Sequence, residues 1–417
     1  MDREKILSRV DELRDWTVQL LMDMVKIPTV SPRGEGYGEL VEILSKALAE
    51  QGLEVIVHRV PQDLVDKKCP PEARGNPRYI VMVRLGSGSP VLHFNGHYDV
   101  VPGGSGWTVT EPFKPVVKEG RIYGRGTTDM KGGLASMAAA MVALSRFEGE
   151  LGMTVEAVFV PDEEIGGECG TGYLVEKGLS KPDYVVVAEP SGASRMWIGH
   201  KGAVWAEIVV EGKPAHGSTP WLGVNAFEGM VEVARRFIEE LKPRVESRKS
   251  KYNYDMPGGE KATMMIGGKV RGGDKVNQVP GVASFSVDRR VIPEESAEEA
   301  WREIEEFTRR VAEETGVKVT AKLIHTMNAV VTEPDTPLVR AASAAAREVL
   351  GSEPEKTVCI GGLDLRYYVE RGVQGISYGP GVSGTAHAPD EYVEIRDLVD
   401  FAKMYALLPF TLREELG

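Results

Sequence analysis

The sequence predicts an α/β protein built on a mixed, largely parallel sheet, with a smaller α+β domain inserted into it. Three observations carry this expectation. Short apolar runs alternate with helical patterns through the first two hundred residues, which is the rhythm of an α/β sheet. From Gly199 to His325 the order changes to β-α-β-β-α-β, the ferredoxin-like pattern. A chain of 417 residues is also too long for one ordinary core. The expected division is 1–198 for the first part of the larger domain, 199–325 for the insertion and 326–417 for the second part.

At the N-terminus, "MDREKILSRVDELRDW" lacks the basic start and apolar run of a signal peptide, and Leu7, Val10, Leu13, Leu20 and Met24 mark one face of an amphipathic helix. "YIVMVRLG" and "PVLHFNGH" read as strands, and "MKGGLASMAAAMVALSRF" as a buried, Ala-rich helix. "MTVEAVFVPDEE" and "DYVVVAEPSG" are further strands, each running directly into carboxylates. Ligands of open α/β sheets bind beyond the carboxyl ends of the strands, so these acids arrive where a site is expected. In the insertion, "KGAVWAEIVVEG", "ATMMIGGKV", "GVASFSVDRRV" and "KVTAKLIH" supply strands. Val224 to Leu241 and Ser296 to Thr315 supply helices, the second opening with Ser296 and Glu299 at capping-box spacing. A helix, "TPLVRAASAAAREVLG", and a strand, "VQGISYGPG", complete the larger domain.

Composition narrows the function. A net charge of −12 argues against a nucleic-acid binder, which needs a clustered basic surface. No run reaches the roughly 18 apolar residues of a membrane helix, so a cytoplasmic protein without membrane partners is expected. Cys69, Cys169 and Cys359 are odd in number and widely spaced, and suggest neither a disulfide framework nor a thiolate zinc site. Few Asn and Gln beside many Glu and Arg is a bias of heat-adapted proteins. A glycine fingerprint opening a helix and H-E-x-x-H are both missing from the sequence.

Five candidate metal ligands lie at strand ends or in Gly-rich loops: His97, Asp129, Glu164, Glu189 and His387. Imidazole nitrogen and carboxylate oxygen suit zinc, and this set exceeds what one tetrahedral ion requires. Two ions sharing a carboxylate would use them all. Each residue also has a plainer reading. Asp129 could cap the helix that follows, Glu163 and Glu164 could form a solvated turn, and Glu189 could cap the turn at Pro190, Ser191 and Gly192.

The segments "HYDVVP", "GRGTTDMKGG", "PDEEIGG", "AEPSG", "GKPAHGS", "VNQVP", "DRRVIP", "GGLDLR" and "GPGVSGTAHAPDEYV" stand in the order seen in the M20 zinc amidohydrolases, and the chain resembles that family along nearly its whole length. The likeness is greatest to the acetylornithine deacetylase and succinyl-diaminopimelate desuccinylase branch. It implies a zinc-peptidase-like catalytic domain carrying an inserted lid and dimerisation domain. It further implies two zinc ions, with cobalt or manganese as substitutes: one held by His97 and Glu189, the other by Glu164 and His387, and Asp129 bridging both.

On the same resemblance, Asp99 orients His97 and Glu163 is the general base. His216 reaches the active site of a second subunit in a homodimer and stabilises the oxyanion. Asn277 and Arg290 bind the substrate's carboxylate, a task suited to a planar guanidinium. Arg289 stands beside Arg290, so one of the two must point the other way along the strand. Gly361, Gly362, Gly379, Gly381 and Gly384 would let backbone approach the substrate. The family's "GGTDxR" segment has Leu363 in place of Thr, which removes a hydroxyl contact. The expected activity is hydrolysis of an N-acyl amino acid amide; a carboxypeptidase or dipeptidase acting on a short peptide, and a catalytically inactive relative that binds metal or peptide, are the competing readings.

Overall fold

The computed structural model describes residues 3–417. Contacts divide them into one unit that runs to residue 198 and takes in 332–356 and 363–417, and another of 199–331 with 357–362. The contact boundary runs past the expected end at His325 because the last inserted strand extends over Lys318–Met327.

In the first unit the N-terminal face is carried by two helices, Arg3–Glu12 and Arg14–Lys26, rather than one. Ile6 and Val10 are buried on the first of them, while Leu7 is only half-buried. The sheet runs in the order Val55–Arg59, Tyr79–Leu85, Thr154–Val160, Val91–His97, Tyr184–Val187, Gln374–Ser377, Arg195–His200. Its four middle strands are parallel and its flanking pairs antiparallel. Thr154–Val160 is buried throughout, and Val91–His97 after its first residue, as strands covered on both faces must be. The helix Gly132–Leu144 is buried on every side and packs on the sheet and on the C-terminal helix Ile395–Leu416. A Cβ at Gly133 would lie 2.3 Å from the Ala188 carbonyl oxygen, so glycine lets this helix start against the end of a sheet strand.

The second unit has a four-stranded antiparallel sheet in the order Thr263–Gly272, Val282–Val291, Gly202–Glu211, Lys318–Met327. Two helices, Ala226–Arg236 and Ala297–Thr315, share its core. The longer buries Ala297, Ala300, Ile304, Phe307 and Val311 at helical spacing, and its Ser296 accepts a hydrogen bond from the Glu299 N–H, a cap worth about 1 kcal/mol. Arg289 is the member of its pair that turns inward, bonded to Glu295 and to the Ala300 carbonyl. No described helix is long and apolar enough to cross a membrane.

One buried charge ties the larger sheet together. Glu156 stands opposite His93 on one neighbouring strand and Arg84 on the other. Its carboxylate bonds His93 Nδ1 at 3.0 Å and Ser180 Oγ at 2.5 Å, with Arg84 Nη2 at 2.5 Å. Burial alone raises its pKa, but these partners outweigh burial and hold it at about 2, below the ordinary 4.5. A depressed carboxylate stabilises the fold above its unfolded pKa and loses that contribution as pH falls through the folded one. Glu156→Gln is therefore expected to cost about 3 kcal/mol at pH 7, with the deficit narrowing below pH 4.5. Urea unfolding at pH 7 and near pH 3 checks this, and an equal deficit at both would contradict it.

Candidate metal centre

The middle strands deliver their carboxyl ends to one region. His97 is the last residue of Val91–His97. Glu163 and Glu164 lie on the single turn Glu163–Ile165 just after Thr154–Val160, and Glu189 follows Tyr184–Val187. His387, with φ +61°, lies in the loop beyond Gln374–Ser377. Asp129 does not cap the next helix: its backbone is non-helical, and the helix begins at Gly132.

These residues converge. His97 Nε2 lies 3.2 Å from Asp129 Oδ1, 3.8 Å from Glu189 Oε1 and 4.0 Å from Glu163 Oε2. His387 Nε2 lies 3.3 Å from Asp129 Oδ2 and 3.0 Å from Glu164 Oε1. Two triads result, His97–Asp129–Glu189 and Asp129–Glu164–His387, each with donor atoms within 4.8 Å of one another. Asp129 belongs to both. Glu163 belongs to neither.

The electrostatics call for positive charge. Burial pushes Glu189 up to about 8, with Asp129 adding to the rise, and pushes Glu163 well above the usual range, with Glu189 adding to it. Burial also raises Glu164. Asp129 is held low, against its burial, by His387 and His97. Bonds to Asp129 and Glu164 lift His387 to about 10. Glu189 Oε1 is buried without a hydrogen-bond partner. Anions crowded this closely, all with nitrogen or oxygen donors, fit a pair of divalent cations.

Two further carboxylates set the donors in place. Asp99 Oδ1 and Oδ2 accept the N–H groups of Glu163 and Glu164 at 3.1 and 3.2 Å. His97 Nδ1 meets the Asp99 backbone oxygen at 2.9 Å and its carboxylate only at 3.5 Å. Asp99 thus orients the ring mainly through its carbonyl, while its side chain fixes the neighbouring turn. Glu391 is the residue that sequence reasoning missed. Its Oε1 accepts the N–H of Thr128 and of Asp129, and its Oε2 binds Arg125 and the Gly126 N–H. It lies in the quoted "AHAPDEY" stretch, but nothing in that stretch names its partners. Gly379 and Gly381 are used differently from expectation. A Cβ on them would strike the Ala188 carbonyl and Pro190, so their bareness serves packing around Glu189 rather than an approach to substrate.

Apart from Gly384, the remaining predicted residues belong to the second unit. His216 is exposed on a short ladder in which Ala215–His216 pairs with Gln278–Val279. Asn277, also exposed, accepts the Gly217 N–H through its carbonyl. His216 Nδ1 bonds Ser218 Oγ at 2.8 Å and lies 3.2 Å from the Ser218 N–H. Arg290 is half-exposed and paired with Asp288 at 3.0 Å. Gly362 packs on Met327, and Gly361 has Cys359 Sγ as its neighbour.

Residues 93–410 match the family described as Peptidase family M20/M25/M40. The chain belongs to this family. Within it the chain is 28% identical over 421 aligned positions to a protein of Staphylococcus epidermidis named "Probable succinyl-diaminopimelate desuccinylase", covering 96% of this chain and 97% of that one. A dipeptidase of Saccharomyces cerevisiae has a similar fold, with TM-score 0.76, 19% identity and 99% of each chain covered. So does an M20 metallo-carboxypeptidase of Sulfolobus solfataricus, with TM-score 0.73, 21% identity, and 95% of this chain and 99% of that one covered. As a member of the M20 family, the protein is a metal-dependent hydrolase.

Glu391→Gln keeps the shape but removes acceptors that hold the Asp129 turn. Metal affinity of the stripped protein is expected to fall about 10-fold or more in calorimetric titration, with the circular dichroism spectrum unchanged. Undiminished affinity would show that Glu391 does not position Asp129.

Proposed function

We propose that the protein is a di-zinc amidohydrolase that cleaves the amide of N-acyl amino acids. The observation that carries this reading is the separation of roles at the centre: two triads share Asp129, and Glu163 stands 4.0 Å from His97 outside both. A protein that only bound metal would have no use for a further buried carboxylate there. Two divalent ions, when bound by the triads, supply Lewis-acid polarisation of the scissile carbonyl and acidify water. Glu163 takes the proton of the attacking water and passes it to the departing amine nitrogen as the C–N bond breaks. Burial and Glu189 raise the proton affinity of Glu163, which strengthens its carboxylate as the acceptor of that proton.

A homodimer formed through the inserted unit belongs to the same reading. Trp221, Leu222, Val224, Phe227 and Val231 are exposed there, an apolar surface of the kind that marks association. Since Nδ1 of His216 accepts the Ser218 N–H, its Nε2 carries hydrogen and faces solvent as a donor suited to an oxyanion. Arg290 and Asn277 are assigned to the substrate's carboxylate, with Arg290 exchanging its bond to Asp288 for the ligand. The desuccinylase relative, aligned over nearly all of this chain, favours an N-acyl amino acid substrate. Likeness to a dipeptidase and a carboxypeptidase sustains a second reading, cleavage of short peptides by the same centre.

Amine release from a panel of N-acetyl and N-succinyl amino acids, dipeptides and N-blocked dipeptides tests this with zinc-loaded protein. Turnover of one N-acyl amino acid is expected, falling about 1,000-fold or more in Glu163→Gln while bound zinc stays constant. Cleavage of peptides alone would move the assignment to a peptidase, and loss of zinc in the variant would reverse the roles of Glu163 and Glu164. Light scattering should give twice the chain mass. A fully active monomer would refute the role given to His216.

A further inference from the structure

Behind the turn that carries Glu163 and Glu164, two cysteines a hundred residues apart in sequence come together. Cys69 Sγ lies 3.0 Å from Cys169 Sγ and 3.6 Å from Asp162 Oδ2. A disulfide bond is about 2.05 Å long, so the sulfurs are about 1 Å from bonding distance. We propose that Cys69 and Cys169 form a disulfide that fastens the base-bearing turn to the segment around Gln62–Ala73.

The surroundings favour a covalent link over a metal. Sulfurs sharing one tetrahedral zinc at about 2.3 Å stand roughly 3.8 Å apart, wider than this pair, and Asp162 is already engaged by Arg78 at 2.7 Å and Tyr37 at 2.9 Å. The two sulfurs differ in access. Cys169 is fully buried, whereas Cys69 is half-buried at the end of the helix Gln62–Lys68. A small disulfide, R–S–S–R, can therefore reach Cys69 first. The Cys69 thiolate attacks one sulfur of the reagent, forming a mixed disulfide and releasing R–S–H after proton uptake. Cys169 then loses its proton and attacks the Cys69 sulfur, closing the protein disulfide and expelling a second R–S–H. Two protein thiols are oxidised and one small disulfide is reduced to two thiols. The neighbouring Cys169 sulfur and burial both push the Cys69 thiol up, so exchange is slow, as for a structural link rather than a rapid sensor.

The bond would anchor the strand-to-turn junction from outside the metal centre. Asp162 precedes Glu163 directly, with φ +67°, and its carbonyl accepts the Gly167 N–H at 2.6 Å. Cys169 closes the same loop. The cross-link spans 100 residues, a length for which the loss of unfolded-state entropy is large.

The test incubates the full-length protein with oxidised glutathione, removes the reagent and compares it with a dithiothreitol-treated sample. Denaturing thiol titration is expected to fall from three thiols to one, with intact mass lower by about 2 Da and a Cys69–Cys169 cross-linked peptide after proteolysis. The midpoint of thermal unfolding should rise by roughly 5 °C and return on reduction, with no rise in Cys69→Ser. Three remaining thiols, a glutathione adduct retained on Cys69, or an additional equivalent of zinc lost in Cys69→Ser would each overturn the proposal. Mass and thiol count need no catalysis, so this test stands apart from that of the proposed activity.

Discussion

Crowded negative charge at the ends of the sheet strands is the constraint on which the rest of the site depends. Asp129, Glu163, Glu164 and Glu189 gather around His97 and His387. Buried cations nearby make their hydrogen bonds elsewhere: Arg78 to Asp162, Arg125 to Glu391, Lys131 to the carbonyls of Met24 and Ile27, and Arg366, whose charge also acts on Glu163, to those of Leu363 and Gly166. Protein groups thus leave the balance to added cations, and the donors must be held in place against their mutual repulsion.

The fold meets this need with one device used twice. Asp99 receives the successive N–H groups of Glu163 and Glu164, and Glu391 those of Thr128 and Asp129. In each case a side-chain carboxylate fixes a short irregular stretch that regular hydrogen bonding leaves open. Small residues complete the arrangement: Gly133, Gly379 and Gly381 let helix start and terminal loop close on Ala188 to Pro190, and so around Glu189.

Much of this was legible in the sequence, for identifiable reasons. Apolar runs that end in acids located the strands and their terminal donors, since both follow from local pattern. The inserted fold followed from the order of its elements, and the Ser296 cap from a spacing of three residues. What escaped was pairing over distance. The break at Leu13 that divides the first helix has no Pro or Gly to announce it, and Glu391 finds Asp129 only in three dimensions. Widely separated Cys69 and Cys169 looked incidental because proximity is not written in spacing. Gly379 and Gly381 misled for the opposite reason: their freedom was evident, but not which neighbour required it.

The donor set also has an order in time. A ribosome releases His97 first and His387 last, with the whole of the inserted unit, which has its own apolar core, made in between. The members of the His97–Asp129–Glu189 triad are all synthesised before the inserted unit, whereas the other triad waits for His387. Contacts this far apart in sequence form slowly, and the unfinished product holds four of the five ligands while His387 is still to come. Occupancy of the second triad thereby reports that synthesis has passed residue 387, and a polypeptide cut short of it can offer no more than one.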